Sequence, residues 1–101
     1  MDEQCERIAR AEEALIRASA ALSDLESALE KYRAAGEDLA LLERYLNSEE
    51  RRMDVQADEE GRLPHDLKRG VLSEDGVWNL LERRDELMGE MRKLVDETTP
   101  A

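Results

Sequence analysis

Four side chains of chemically useful type crowd into one short stretch of this sequence: Arg62, His65, Lys68 and Arg69. They form the only locally basic patch in a chain of 101 residues whose net charge is −11. Guanidinium and ammonium groups close to a helix start are well suited to hold an anion or a carboxylate-bearing partner. The same groups can instead pair with the acidic residues on either side, Asp58, Glu59 and Glu60 before them and Glu74 and Asp75 after. The patch is therefore a candidate partner- or anion-binding site, with ion pairing inside the chain as the competing use of the same charges.

Other chemistry finds little support. Cys5 and His65 are the only residues of their types and fall on different elements, so no nucleophile–base pair is formed. There is no Cys/His cluster for zinc and no glycine-rich phosphate loop. Glu3-x-x-Glu6 and Glu82-x-x-Asp85 have the spacing with which all-helical nucleotide pyrophosphatases hold magnesium. In a chain with 26 acidic residues, such spacings arise by chance. Asp54, Asp58 and Glu59 read as a solvated acidic edge. The expectation is no catalytic residue, no metal and no cofactor.

The basic patch must be positioned by its surroundings, Asp58 to Trp78, which contain three of the five glycines, one of the two prolines and the only Trp. Pro64 suits the first position of a helical turn. Gly70 stands where a left-handed helix cap would need a residue without Cβ. Ser73 followed by Glu74 and Asp75 is a helix start, with negative charge on the positive end of the helix dipole. Leu72 and Val77 have the spacing of a hydrophobic staple. Leu63, Pro64, Leu67, Gly70, Leu72, Ser73 and Trp78 are the expected structural core of this turn, with Val71 beside them.

On either side the sequence reads as helix. Aromatic residues make up 3% and there is no Phe, while charged residues reach 41%; Leu and Ala carry the apolar content, which favours helix packing over sheets. From residue 3 to 35 one heptad set is Ile8, Leu15, Leu22 and Leu29, and the other is Ala11, Ala18, Leu25 and Tyr32. Leu39, Leu46 and Met53 continue the phase past Gly36, so one long helix over about 3–46 is expected, with a weak point at Gly36. Glu3–Arg7, Glu6–Arg10 and Glu13–Arg17 have ion-pair spacing on the exposed side. Asn47-Ser48-Glu49-Glu50 marks a bend and a capped start, giving a short helix over about 49–57. The capped turn covers 58–73. The last helix, about 74–96, carries Val77, Leu80, Leu81, Leu87, Met88, Met91, Leu94 and Val95, interrupted by Arg84. Residues 98–101 read as a disordered tail.

Residues 1–101 are thus expected to form a single all-α domain, with a long N-terminal helix, a short middle helix and an antiparallel C-terminal helix in a hairpin or bundle. So short a chain buries little core of its own, and the long apolar seam predicts a homo-oligomer or an unidentified protein partner. The acidity argues against direct nucleic-acid binding. No apolar run approaches the roughly 20 residues of a membrane span, and no signal-peptide pattern opens the chain, so a cytoplasmic location is expected.

Tyr45, Ser48, Asp54, Asp58, Glu59, Gly61, Leu63-Pro64, the run Asp66-Leu67-Lys68-Arg69-Gly70-Val71-Leu72-Ser73-Glu74-Asp75, and Leu80-Leu81 resemble the signature of a small bacterial family known only as a domain of unknown function. The resemblance spans about 6–92 and is specific from Leu63 to Asp75. Leu46 stands where that pattern has an aromatic, and Arg51 or a neighbour where it has a Trp. It implies a small, mainly helical intracellular protein and brings no activity with it. The function expected is a non-enzymatic helical interaction or assembly module. The alternatives are an acidic inhibitor or nucleic-acid mimic occupying a basic groove and a magnesium-dependent nucleotide hydrolase.

Overall fold

A computed structural model describes residues 2–99 of the chain. Among them every regular element is helical: α1 (Glu3–Ala34), α2 (Gly36–Leu46), α3 (Glu49–Glu59), a 3₁₀ turn (Gly70–Leu72) and α4 (Gly76–Thr98). They fall into two compact units, residues 1–36 and 37–101.

The first unit is α1, a helix of 32 residues. The Asp2 carboxylate caps it by accepting from the Cys5 N–H at 2.8 Å, and that bond holds the carboxyl below its ordinary range. Every residue from Glu3 to Ala34 is exposed. Among the three expected ion pairs only Glu13–Arg17 closes, at 3.9 Å. The continuous helix expected over 3–46 is instead divided at Ala35, whose ψ of −6° departs from the helical value. Its N–H is shared between the carbonyls of Lys31 and Tyr32, both at 3.1 Å. The weak point predicted at Gly36 thus opens one residue earlier, where the following glycine gives the helix least support.

The second unit contains α2, α3, the 3₁₀ turn and α4. Ser48 ends α2 and starts α3: its N–H bonds the Tyr45 carbonyl at 3.0 Å, and its hydroxyl accepts from the Arg51 N–H at 3.2 Å. Two residues longer than expected, α3 ends in a Schellman motif. Arg62 N–H reaches back to the Ala57 carbonyl at 2.9 Å and Gly61 N–H to that of Asp58 at 3.1 Å. Gly61, at φ +71°, is the left-handed residue that this motif needs.

Gly70, expected in that role, has no positive φ and instead opens the 3₁₀ turn, which packs against both α3 and α4. Pro64 starts a β-turn closed by the Leu67 N–H at 3.3 Å, not the helical turn expected. The last helix begins at Gly76 and ends at Thr98, a shift of two residues at each end. Pro100 and Ala101 of the expected tail lie outside the described residues.

Val77 (5% exposed) and Leu81 (8%) are the only buried side chains among the described residues. Trp78, expected in the core, is 60% exposed. It follows Val77 by one position, a turn of about 100° around the helix, so the face that buries Val77 and Leu81, four residues apart, excludes it.

Candidate functional site

With so little apolar core, the second unit is laced together by polar side chains, and these decide which charges of the central turn remain available. The Tyr45 hydroxyl on α2 donates to Asp54 on α3 at 2.6 Å. Arg84 on α4 pairs with Glu43 on α2 at 3.6 Å and with its neighbour Asp85 at 3.0 Å. Arg51 on α3 donates from Nη2 to the Ser73 carbonyl at 3.2 Å, while its Nε is buried without a partner. Ser73 also accepts at Oγ from the Gly76 N–H at 3.2 Å, but the N-cap of α4 is Asp75, without a side-chain cap bond, and not Ser73 as expected. A Cβ at Gly76 would fall 2.4 Å from that hydroxyl and 3.1 Å from the Gly70 carbonyl oxygen. Gly76 is therefore where the chain requires a glycine for close approach.

The four basic residues separate into different roles. Arg69 is committed within the chain: it bonds the Asp58 carboxylate at 2.5 Å, the Pro64 carbonyl at 2.6 Å and that of Leu67 at 3.4 Å. It clamps the loop after α3 onto the end of α3. Arg62 pairs with Glu60 at 2.9 Å in an exposed position. His65 is exposed at the tip of the β-turn. Lys68 makes no ion pair among the described residues and lines a shallow cavity of about 300 Å³ with Tyr45, Asp54, Leu63, Leu67, Arg69, Val71 and Leu72. The expected core residues Leu63 and Leu72 are half-buried, whereas Leu67 is exposed at 49%.

Arg69→Ala is therefore expected to destabilise the unit by about 1–2 kcal/mol, the loss of a charge-assisted network that is partly exposed. This amounts to roughly 5–10 °C in Tm for a unit of this size. Lys68→Ala should leave Tm unchanged within about 2 °C, because no bond is lost. Thermal melts followed by circular dichroism separate the two, and equal shifts would contradict the division of roles.

The Tyr45 phenol is pushed up to about 12, by burial first and by its hydrogen bond to Asp54 second. In the unfolded chain a phenol titrates near ~10. Between those values the folded state keeps a proton that the unfolded state loses, so stability is fully present below about pH 10 and declines as pH rises toward 12. Urea titrations from pH 8 to 11.5 should show this alkaline loss, and Tyr45→Phe should flatten it while lowering stability at pH 8.

The carboxylate pairs considered for magnesium lie on separate helices. Glu3 and Glu6 lie in the first turn of α1, Glu82 and Asp85 lie on α4, and Asp85 is paired with Arg84. Among the described residues no three of His, Cys, Asp and Glu come together as metal ligands would. Among the described residues no helix is long and apolar enough to cross a membrane.

The family described as Domain of unknown function (DUF4298) matches residues 8–94. The chain belongs to this family. The match takes in most of α1, all of α2, α3 and the central turn, and α4 as far as Leu94. No curated protein and no solved structure matches the chain.

The polar ties Tyr45–Asp54, Arg51–Ser73 and Glu43–Arg84 are missed by sequence reasoning. Each joins residues on different helices or across the turn, a separation that no helical period reports. The faint signal was the clustering of Tyr45, Ser48, Asp54 and Asp58 among the residues that carry the resemblance.

Proposed function

We propose that this member of the DUF4298 family is a non-enzymatic helical assembly module that joins chains through α1. One observation carries the reading. The heptad residues Ile8, Leu15, Leu22, Leu25, Leu29 and Tyr32 are each 41–66% exposed on a helix with no buried residue. A contiguous apolar seam of that length marks an interaction surface. A helix with no packed face also has little to hold it together, because most helical stability in proteins comes from burying an amphipathic side. The bundle expected of this sequence is thus completed when α1 meets a helix of another molecule.

The central turn supplies a second, smaller contact. Lys68 and His65, both exposed, and Arg62, exposed while paired with Glu60, are the basic groups that the turn offers to a carboxylate-bearing protein partner. Arg69 supports the turn without being free to contact the partner. The single exposed Cys5 suits a reducing compartment, and the reading places the module in the cytoplasm.

Sedimentation equilibrium of the full chain at micromolar concentration tests the assembly. A mass of two or more chains is expected. A single-chain mass at all concentrations would overturn it and favour the acidic-inhibitor reading, which requires capture of a basic partner that weakens steeply with salt.

A further inference from the structure

We propose that the partner of α1 is α1 of a second copy of this chain, lying antiparallel, with Leu22 of one copy opposite Ala18 of the other. This rests on the assembly reading above and adds the occupant, its direction and its register.

Residue size sets the direction. In an antiparallel pair the two heptad sets face each other, whereas in a parallel pair each set faces its own kind. In the antiparallel register Ile8 lies opposite Tyr32, Ala11 opposite Leu29, Leu15 opposite Leu25 and Ala18 opposite Leu22, with the same pairs repeated beyond the dyad. Both small residues thus meet a large one and every layer is filled. In a parallel, in-register pair Ala11 meets Ala11 and Ala18 meets Ala18, leaving two underfilled layers, and each unfilled layer forfeits contact energy. The register also brings together the row immediately beside the seam, Ala14, Ala21 and Ala28. Ala21 falls next to Ala21 of the second copy and Ala14 next to Ala28. This edge carries no charge and no bulk, so the backbones can approach closely along it.

The charge of the segment that follows α1 points the same way, although the register also sets Glu12 beside Glu26 of the second copy on the opposite edge. The residues that follow α1, 37–101, hold ten Lys and Arg against eighteen Asp and Glu, a net charge of −8. They are joined to the C-terminal end of α1. A parallel pair places two such segments side by side. An antiparallel pair attaches them at opposite ends, about 45 Å apart at 1.5 Å per residue, far beyond a screening length of about 8 Å at physiological salt. Antiparallel helix dipoles add a smaller favourable term. The seam from Ile8 to Tyr32 is about 36 Å long on a helix about 10 Å across. Burying it removes several hundred Å² per copy, approaching the roughly 800 Å² per partner of a standard stable interface.

Cys5, exposed near the start of α1, supplies the test without altering the chain. A nitroxide label on this residue and a pulsed dipolar measurement on the full-length protein should give a spin–spin distance of about 45 Å, since Cys5 lies level with residue 35 of the other copy. A distance below about 25 Å in a sample of dimer mass would overturn the antiparallel arrangement while leaving self-assembly standing. No dipolar modulation in a sample of single-chain mass would overturn both. Disulfide trapping gives an independent readout in a Cys5→Ser background. Ala21→Cys should cross-link the two copies and Ala18→Cys should not; the reverse pattern would establish the parallel pair.

Discussion

Leu81→Ala is expected to remove a large share of the stability of the unit formed by α2, α3, the central turn and α4. Leu81 is one of two buried side chains among the described residues, with 8% of its surface exposed. Truncating a buried Leu to Ala costs about 2–5 kcal/mol. At about 0.05–0.15 kcal/mol per residue, a unit of this length has only roughly 3–10 kcal/mol in total. The loss is therefore a large share of what holds α2, α3 and α4 together, and a drop in Tm of about 15 °C or more is expected. Trp78→Ala is the control. It removes the larger side chain, but from a position 60% exposed, and should cost no more than about 1 kcal/mol. Tryptophan fluorescence of the wild type should correspondingly be red-shifted and open to aqueous quenchers. If Trp78→Ala destabilises more than Leu81→Ala, the assignment of the core to Val77 and Leu81 is wrong.

This contrast shows which kinds of structure were legible in the sequence. Helix type and the principal breaks were, because they are written locally. Ser48 caps α3 as its type and the acidic residues after it foretell, and the apolar heptad of α1 is a plain period. Trp78 is large and apolar, but helical phase decides burial: Val77 and Leu81 share a face that Trp78 does not. The left-handed cap is expected at Gly70 because a helical turn begun at Pro64 would end there. The residue that meets the geometric need is Gly61, directly after the last turn of α3. Arg69 was grouped with Lys68 because they are adjacent and alike in charge. Their separation depends on Asp58, eleven positions away, which reaches Arg69 only once the loop has folded. Nothing in the one-dimensional pattern distinguishes a clamped guanidinium from a free ammonium.

The same reasoning assigns structural work to much of the stretch that carries the family resemblance. Tyr45 and Asp54 tie α2 to α3, Ser48 caps α3, Asp58 and Arg69 clamp the loop, Gly61 ends α3, and Ser73 bonds Gly76 at the start of α4. A unit with two buried side chains depends on such directional bonds to fix one arrangement, since apolar burial on its own selects poorly among packings. The signature therefore reads first as a folding signature. Within it, Lys68 is the basic residue left without an ion pair among the described residues, and the proposed secondary contact falls on it and on the neighbouring His65.

Replacing Leu15 and Leu22 together by Asp should abolish assembly through α1. Both residues are more than half exposed in the single chain, so neither substitution removes packing from an isolated molecule. In the paired state each Leu contributes about 1.5–3 kcal/mol of burial, and each Asp would be desolvated in an apolar seam without a counter-charge. Losing the burial alone weakens association by at least a hundredfold, since every 1.4 kcal/mol is about tenfold. Ile16→Asp is the matched control. Ile16 is 66% exposed, as is Leu22, but it lies off the seam and should leave the dissociation constant within about threefold. Circular dichroism supplies a second readout. A helix with no buried residue depends on assembly for much of its order, so wild-type helicity should fall on dilution through the dissociation constant. The double variant should show the low-concentration value throughout. Helicity independent of concentration in the wild type, with unchanged mass in the variant, would mean that α1 is held by something other than its seam.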